Sequence, residues 1–143
     1  FPAKWERLKE NLLLLESQAP PHLKLQFLWT CSNLSLFYLP ETIAAVKRQF
    51  PSFELILGDH VSKPAHLSPK NLPVELKEVI KAKLVKSGTA ETYSQTLFYI
   101  NNMKSEDLWP THGNTLTQYL DDLDRVRGTQ WRSTFQELSP FIK

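Results

Sequence analysis

Leu23-Lys-Leu-Gln-Phe-Leu-Trp29 and Phe53-Glu-Leu-Ile-Leu57 decide the fold. Each alternates large apolar residues with others at a period of two, which brings the apolar ones onto one face of an extended strand. The stretch between them is long enough to carry a helix back across a sheet, so together they read as a βαβ unit with parallel strands and a right-handed crossover. In the first strand Leu23, Leu25, Phe27 and Trp29 share one face, and Lys24, Gln26, Leu28 and Thr30 share the other. In the second, Phe53, Leu55 and Leu57 oppose Glu54, Ile56 and Gly58. A parallel strand buried on both sides by ordinary packing is a continuous apolar run. Gln26, Thr30 and a buried-looking Glu54 therefore mark a face that meets something polar, which in a closed barrel would be the lumen. Thr30-Cys31-Ser32-Asn33 and Gly58-Asp59-His60 follow at the carboxyl ends, the edge where α/β sheets place ligands.

Working outward, a helix is predicted from about Ala3 to Ser17, with Trp5, Leu8, Leu12 and Leu15 as its apolar stripe and Pro20-Pro21 as its stop. The crossover helix runs from about Pro40 to Gln49 and packs through Ile43, Val46 and Phe50. Val61 to Lys70 reads as an irregular run with Pro64 and Pro69. A helix then starts at Pro73, with Leu72, Leu76, Val79, Ile80 and Leu84 on one stripe and Ser87-Gly88 as its stop. Its lysines, Lys77, Lys81, Lys83 and Lys86, read as a solvated face. The last third shows only helices, at about Ala90 to Lys104, Thr115 to Arg127 and Gln130 to Leu138, with Asn114 and Thr129 as caps, Gly128 as a stop, and Asp121, Asp122 and Asp124 as a polar face. Residues 1–88 thus form the α/β part and 89–143 a helical extension packed on it.

The 143 residues, 41% of them hydrophobic, are enough for one globular core. Net charge is +2, and no aromatic platform accompanies the lysine-rich helix, so nucleic acid is not an expected partner. One cysteine, Cys31, excludes a disulfide framework and any cysteine-ligated cluster or zinc site built from this chain alone. His22, His60, His66 and His112 lack metal-ligand spacing. No apolar run spans a bilayer, no signal or lipidation motif is present, and a cytoplasmic location is expected. The chain opens on Phe1 and has Met103 as its sole methionine. Two parallel strands make a meagre sheet, so further strands are expected upstream.

Lys63-Pro64-Ala65-His66-Leu67-Ser68 with Leu72-Pro73-Val74-Glu75-Leu76-Lys77, and Leu120-Asp121-Asp122-Leu123-Asp124-Arg125-Val126-Arg127-Gly128-Thr129 with Phe135-Gln136-Glu137-Leu138, carry a resemblance. With Trp5, Leu12, Leu15 and Thr30-Cys31-Ser32-Asn33, they make nearly the whole chain resemble the carboxyl-terminal half of twitch-type radical S-adenosylmethionine (radical SAM) proteins. The resemblance implies the last strands of a partial (β/α)6 TIM-like barrel, and a parent enzyme that cleaves S-adenosylmethionine reductively at a four-iron four-sulfur cluster. The family's Cys-x-x-x-Cys-x-x-Cys motif is absent here, so this chain binds no cofactor alone and is not itself a radical enzyme; its implied partner is the amino-terminal half of the same protein.

Position on the strands, rather than a matched motif, makes Thr30, Ser32 and Asn33 candidates for cosubstrate binding and Gln26, Glu54 and His60 for substrate binding, with Asp59 behind them. Each has a structural alternative. Thr30, Ser32 and Asn33 can satisfy turn backbone groups, Glu54 can pair with Lys24 or Gln26 across the sheet, and Cys31 serves as a small buried hydrophobe. A second reading is a cluster-free α/β and helical module that takes a protein or peptide partner at a free sheet edge. No catalytic residue and no metal ligand is assigned.

Overall fold

Residues 4–142 are described by the computed structural model. Their elements run α1 (Trp5–Gln18), β1 (Leu25–Cys31), α2 (Asn33–Phe37), α3 (Leu39–Gln49), β2 (Phe53–His60), a 3-10 turn (Ala65–Leu67), α4 (Val74–Lys86), α5 (Thr89–Thr92), α6 (Ser94–Ser105), α7 (Trp109–Arg127) and α8 (Trp131–Thr134). The fold is mixed α/β: a two-stranded parallel sheet within a βαβ unit, followed by helices. Pairing runs in register from Leu25 opposite Phe53 to Trp29 opposite Leu57. It then shifts, so that Cys31 pairs with His60. The Val61 N–H donates to the Cys31 carbonyl at 2.7 Å and fixes this irregular end.

Alternation sorts the two faces as expected. Phe53, Leu55 and Leu57 are buried, and Phe27 and Trp29 pack against the same core. Phe27 stacks on Phe53 with ring centroids 4.4 Å apart. That core is one cluster joining Leu36, Leu39 and Ile43 to Leu76, Ile80 and Leu84, and on to Tyr99, Met103, Leu116, Leu120, Trp131 and Leu138. The helical extension therefore completes the same core as the strands.

Several sequence expectations are corrected. Ala3 lies outside the described residues, and α1 buries none of its residues: Trp5, Leu8 and Leu15 are about half exposed. A periodic stripe predicts a helix, but it does not guarantee a partner surface. Both strands run further toward their carboxyl ends, so Thr30 and Cys31 belong to β1 and Gly58 to His60 to β2. The crossover holds two helices. Ser32 caps α2 through a reciprocal pair with Ser35, and Tyr38 joins α2 to α3, with Pro40 in the first turn of α3.

Val79 is 40% exposed while Lys77, on the same helix, is 4% exposed. The buried lysine extends its Nζ to Asp107 Oδ1 at 3.2 Å, and Lys83 pairs with Glu41 at 2.8 Å, so two of the four lysines are structural rather than solvated. Asn114 is no cap, because α7 begins at Trp109 with Pro110 in its first turn. Gly113 permits this: a Cβ there would lie 2.9 Å from the Trp109 indole. The helix expected over Ala90 to Lys104 breaks at the extended residue Tyr93 into α5 and α6. Past Thr134 the last expected helix gives way to turns, and the Thr129 hydroxyl bonds Asp124 instead of capping. Gly88 and Gly128 do end α4 and α7, at φ +70° and +65°. No helix among the described residues is long and apolar enough to cross a membrane.

Candidate functional site

The sheet is bare on one face. Gln26, Leu28 and Thr30 of β1 and Glu54 of β2 are exposed, Leu28 to 72%, while Ile56 and Gly58 are half-buried. Glu54, expected to be buried, is solvent-facing. Gln26 and Glu54 stand opposite each other in the register, and Gln26 Nε2 donates to Glu54 Oε2 at 2.8 Å. The expected pairing partner is thus Gln26 rather than Lys24. Leu28 lies over Gly58, where a Cβ would meet its Cδ1 at 2.9 Å, so glycine at this position lets the leucine lie flat on the sheet.

The two sheet edges differ. On β2 the Gly58 carbonyl accepts from Gln95 Nε2 at 3.0 Å and from the Tyr99 hydroxyl at 2.8 Å. Two donors fill the lone pairs of a carbonyl, so α6 occupies this carbonyl at the end of β2. On β1, Leu25 to Cys31 contains no charge and no proline, the devices that ordinarily protect an edge.

At the strand ends the candidates separate. Thr30 faces solvent on the bare side. Ser32 is committed to Ser35, giving its hydroxyl to the α2 cap. Asn33 is completely buried. Its Nδ2 donates to the carbonyls of His66 and Asn71 at 2.8 and 3.3 Å, and its Oδ1 accepts the Leu34 N–H. Asn71, also fully buried, bonds the His66 and His112 carbonyls at 3.0 and 3.2 Å. Two side-chain amides therefore pin the irregular 61–73 segment to the start of α2 and against α7, and the His66 ring packs on Tyr119. His60 Nδ1 approaches Asp59 Oδ1 at 3.0 Å without hydrogen-bonding alignment, and the same oxygen accepts the His60 N–H at 2.7 Å. The imidazole is mostly covered, with Phe98 at 5.6 Å.

Cys31 is fully buried, and loss of solvent pushes its thiol up to about 11, only partly offset by Trp29, Ser35 and Tyr99. Burial also raises the hydroxyls of Tyr99 and Tyr38. A raised folded value means that stability is full below the unfolded value and falls as pH climbs through the folded one. From Cys31, about 2–3 kcal/mol should disappear between about pH 9 and 11. Native protein at about pH 8 should leave a thiol reagent unconsumed until denaturant is added; rapid native labelling would contradict this burial.

Of the three carboxylates expected to form a polar face on α7, Asp122 does so, paired with Arg125 on the helix surface, and the other two do something else. Asp124 accepts from the Thr129 hydroxyl and the Trp131 N–H, both at 2.7 Å, and Asp121 accepts from Trp131 Nε1 and Arg132, both at 2.7 Å. Tyr38 gives its hydroxyl to Glu137 at 2.7 Å. These contacts strap residues 129–138 onto the core. The aspartates reach partners just beyond the Gly128 stop, where the chain folds back on the end of α7, whereas the Tyr38–Glu137 bond joins distant parts of the chain and leaves no local spacing to read.

Two cavities, of about 510 and 470 Å³, lie away from these residues, between Pro73, Trp109 and Phe141 and between Trp5, Trp29, Val46 and Phe50. Among the described residues no three His, Cys, Asp or Glu side chains gather to hold a metal. No family model matches the chain, and no curated protein or solved structure is significantly similar to it.

Proposed function

We propose that this chain is the carboxyl-terminal part of a cytoplasmic radical SAM enzyme, contributing the last strands of a partial (β/α)6 barrel and a wall of its substrate and cosubstrate cavity. The observation that carries the reading is the one-sided sheet. Parallel strands are ordinarily covered on both faces, yet this pair buries one face in the core and leaves Gln26, Leu28, Thr30 and Glu54 bare. A barrel lumen accounts for such a face, and strands added at the unprotected β1 edge would close it. The residues that carry the family resemblance support the reading as scaffold: Asn33 holds the Pro64-x-x-Leu67 segment, and Asp121 and Asp124 hold the end of the chain.

The residues present do not fit an iron–sulfur cluster. Cys31 is buried and strongly protonated, and no companion ligands accompany it among the described residues. In this reading the cluster belongs to the amino-terminal half, and the part played here is binding and support. The test is the preceding coding sequence: Cys-x-x-x-Cys-x-x-Cys after a strand is the expected result, and a start codon immediately before Phe1 would sink the proposal. Gln26→Leu should leave the completed enzyme folded but weaken substrate or cosubstrate binding by at least tenfold, about 1.4 kcal/mol. Unchanged binding and turnover would remove Gln26 from the wall.

The β1 edge also favours a second reading, a cluster-free module that adds a partner's strand. In it the chain alone would bind an extended peptide along Leu25–Cys31, and a lysine placed on that edge would abolish the binding.

A further inference from the structure

Resting on the reading of the bare sheet face as a substrate wall, we propose that Gln26, Glu54 and Leu28 form a subsite for a cationic group, an ammonium or guanidinium, carried on an aliphatic stem. The hydrogen bond across the strands sets the chemistry. Gln26 Nε2 is turned toward Glu54 Oε2 at 2.8 Å. That bond uses a donor of the amide and leaves its oxygen, together with the other carboxylate oxygen, as acceptors toward solvent. The pair therefore carries one negative charge and an excess of acceptors. It complements a group that is all donor and positive, and it repels a carboxylate or phosphate.

Both side chains stand on strands in fixed register, opposite each other, which holds the acceptors in place before any ligand arrives. Leu28 lies two residues further along the same face, about 7 Å away by strand geometry, and is 72% exposed. Ile56, opposite Leu28, extends the apolar strip. A lysine- or arginine-like stem covers that distance, so its methylenes would lie on Leu28 and Ile56 while its head meets Glu54. Thr30 adds a hydroxyl further along the same face. The nearest cation of the chain on this side by alternation is Lys24, which precedes β1 and forms no ion pair with Glu54.

The test is an NMR titration of the chain with butylguanidinium and, separately, with butyrate. Expected are saturable shifts at the Gln26 side-chain amide and the Leu28 methyls with the cation only, and at least a fivefold weaker response in Glu54→Gln. That substitution is exposed and should leave the remaining spectrum unchanged. Equal responses to both probes, shifts centred elsewhere, or indifference to Glu54→Gln would overturn the subsite. Absence of a cysteine motif upstream would overturn the radical enzyme reading while leaving a positive titration standing.

Discussion

Trp131→Ala is expected to cost about 3–5 kcal/mol of stability, read as a lowered denaturation midpoint. The indole is 3% exposed and belongs to the central core cluster. It also carries the strap that closes the chain: its Nε1 meets Asp121, its backbone N–H meets Asp124, and the Arg132 guanidinium lies 4.3 Å from its ring. Asp121 and Asp124 sit toward the carboxyl end of α7, where the helix dipole disfavours carboxylates. Their position makes sense through the donors they accept. Asp124→Ala should therefore cost about 1–2 kcal/mol, unusual for a helix-surface aspartate. Asp121, held below the usual carboxylate range by the Trp131 indole and then Arg132, contributes stability present above its unfolded value and lost as pH falls through the folded one. Trp131→Phe keeps most of the ring but removes the N–H, so the acid limb of the stability curve should flatten. A loss below about 1 kcal/mol for Trp131→Ala would mean that residues 129–138 do not share the core.

What is legible in the sequence is what local periodicity and chain punctuation control. The βαβ unit, its parallel pairing, the sorting of Phe53, Leu55 and Leu57 from Gln26 and Glu54, and the glycine stops at 88 and 128 follow from alternation and from the left-handed backbone that glycine tolerates. What fails requires knowing the neighbours. Val126 is 81% exposed although its spacing from Leu116 and Leu120 suggests the same stripe, while the chain returning after Gly128 packs on Asp121 and Asp124 instead. Lys77 is buried because Asp107 and the Glu106 carbonyl arrive from the α6–α7 connection to meet it. Alternation marks the bare face as polar, but the exposure of Glu54 and its bond to Gln26 are properties of the assembled sheet.

The same distinction governs Asn33. Its place after a strand makes it a cosubstrate candidate, but its buried side chain bridges the first residue of α2 to the 61–73 segment with every polar atom engaged. Asn33→Ala leaves the His66 and Asn71 carbonyls short of a donor and should cost about 2 kcal/mol. Asn33→Asp should be worse at neutral pH, about 3–5 kcal/mol, because a buried carboxylate would then face the two carbonyl oxygens that now accept from Nδ2. The introduced group has a folded value raised above its unfolded value of about 4. Its penalty is thus absent at low pH, where a protonated acid can still donate one bond, and it grows as pH climbs toward the folded value. Stability of the Asn33→Asp variant, measured by urea denaturation across pH, should peak on the acid side and fall toward neutrality, opposite to the trend that Asp121 and Glu137 impose on the parent. An Asn33→Asp protein as stable at neutral pH as the parent would show that the amide does not hold the segment, and would return Asn33 to the ligand side of the account.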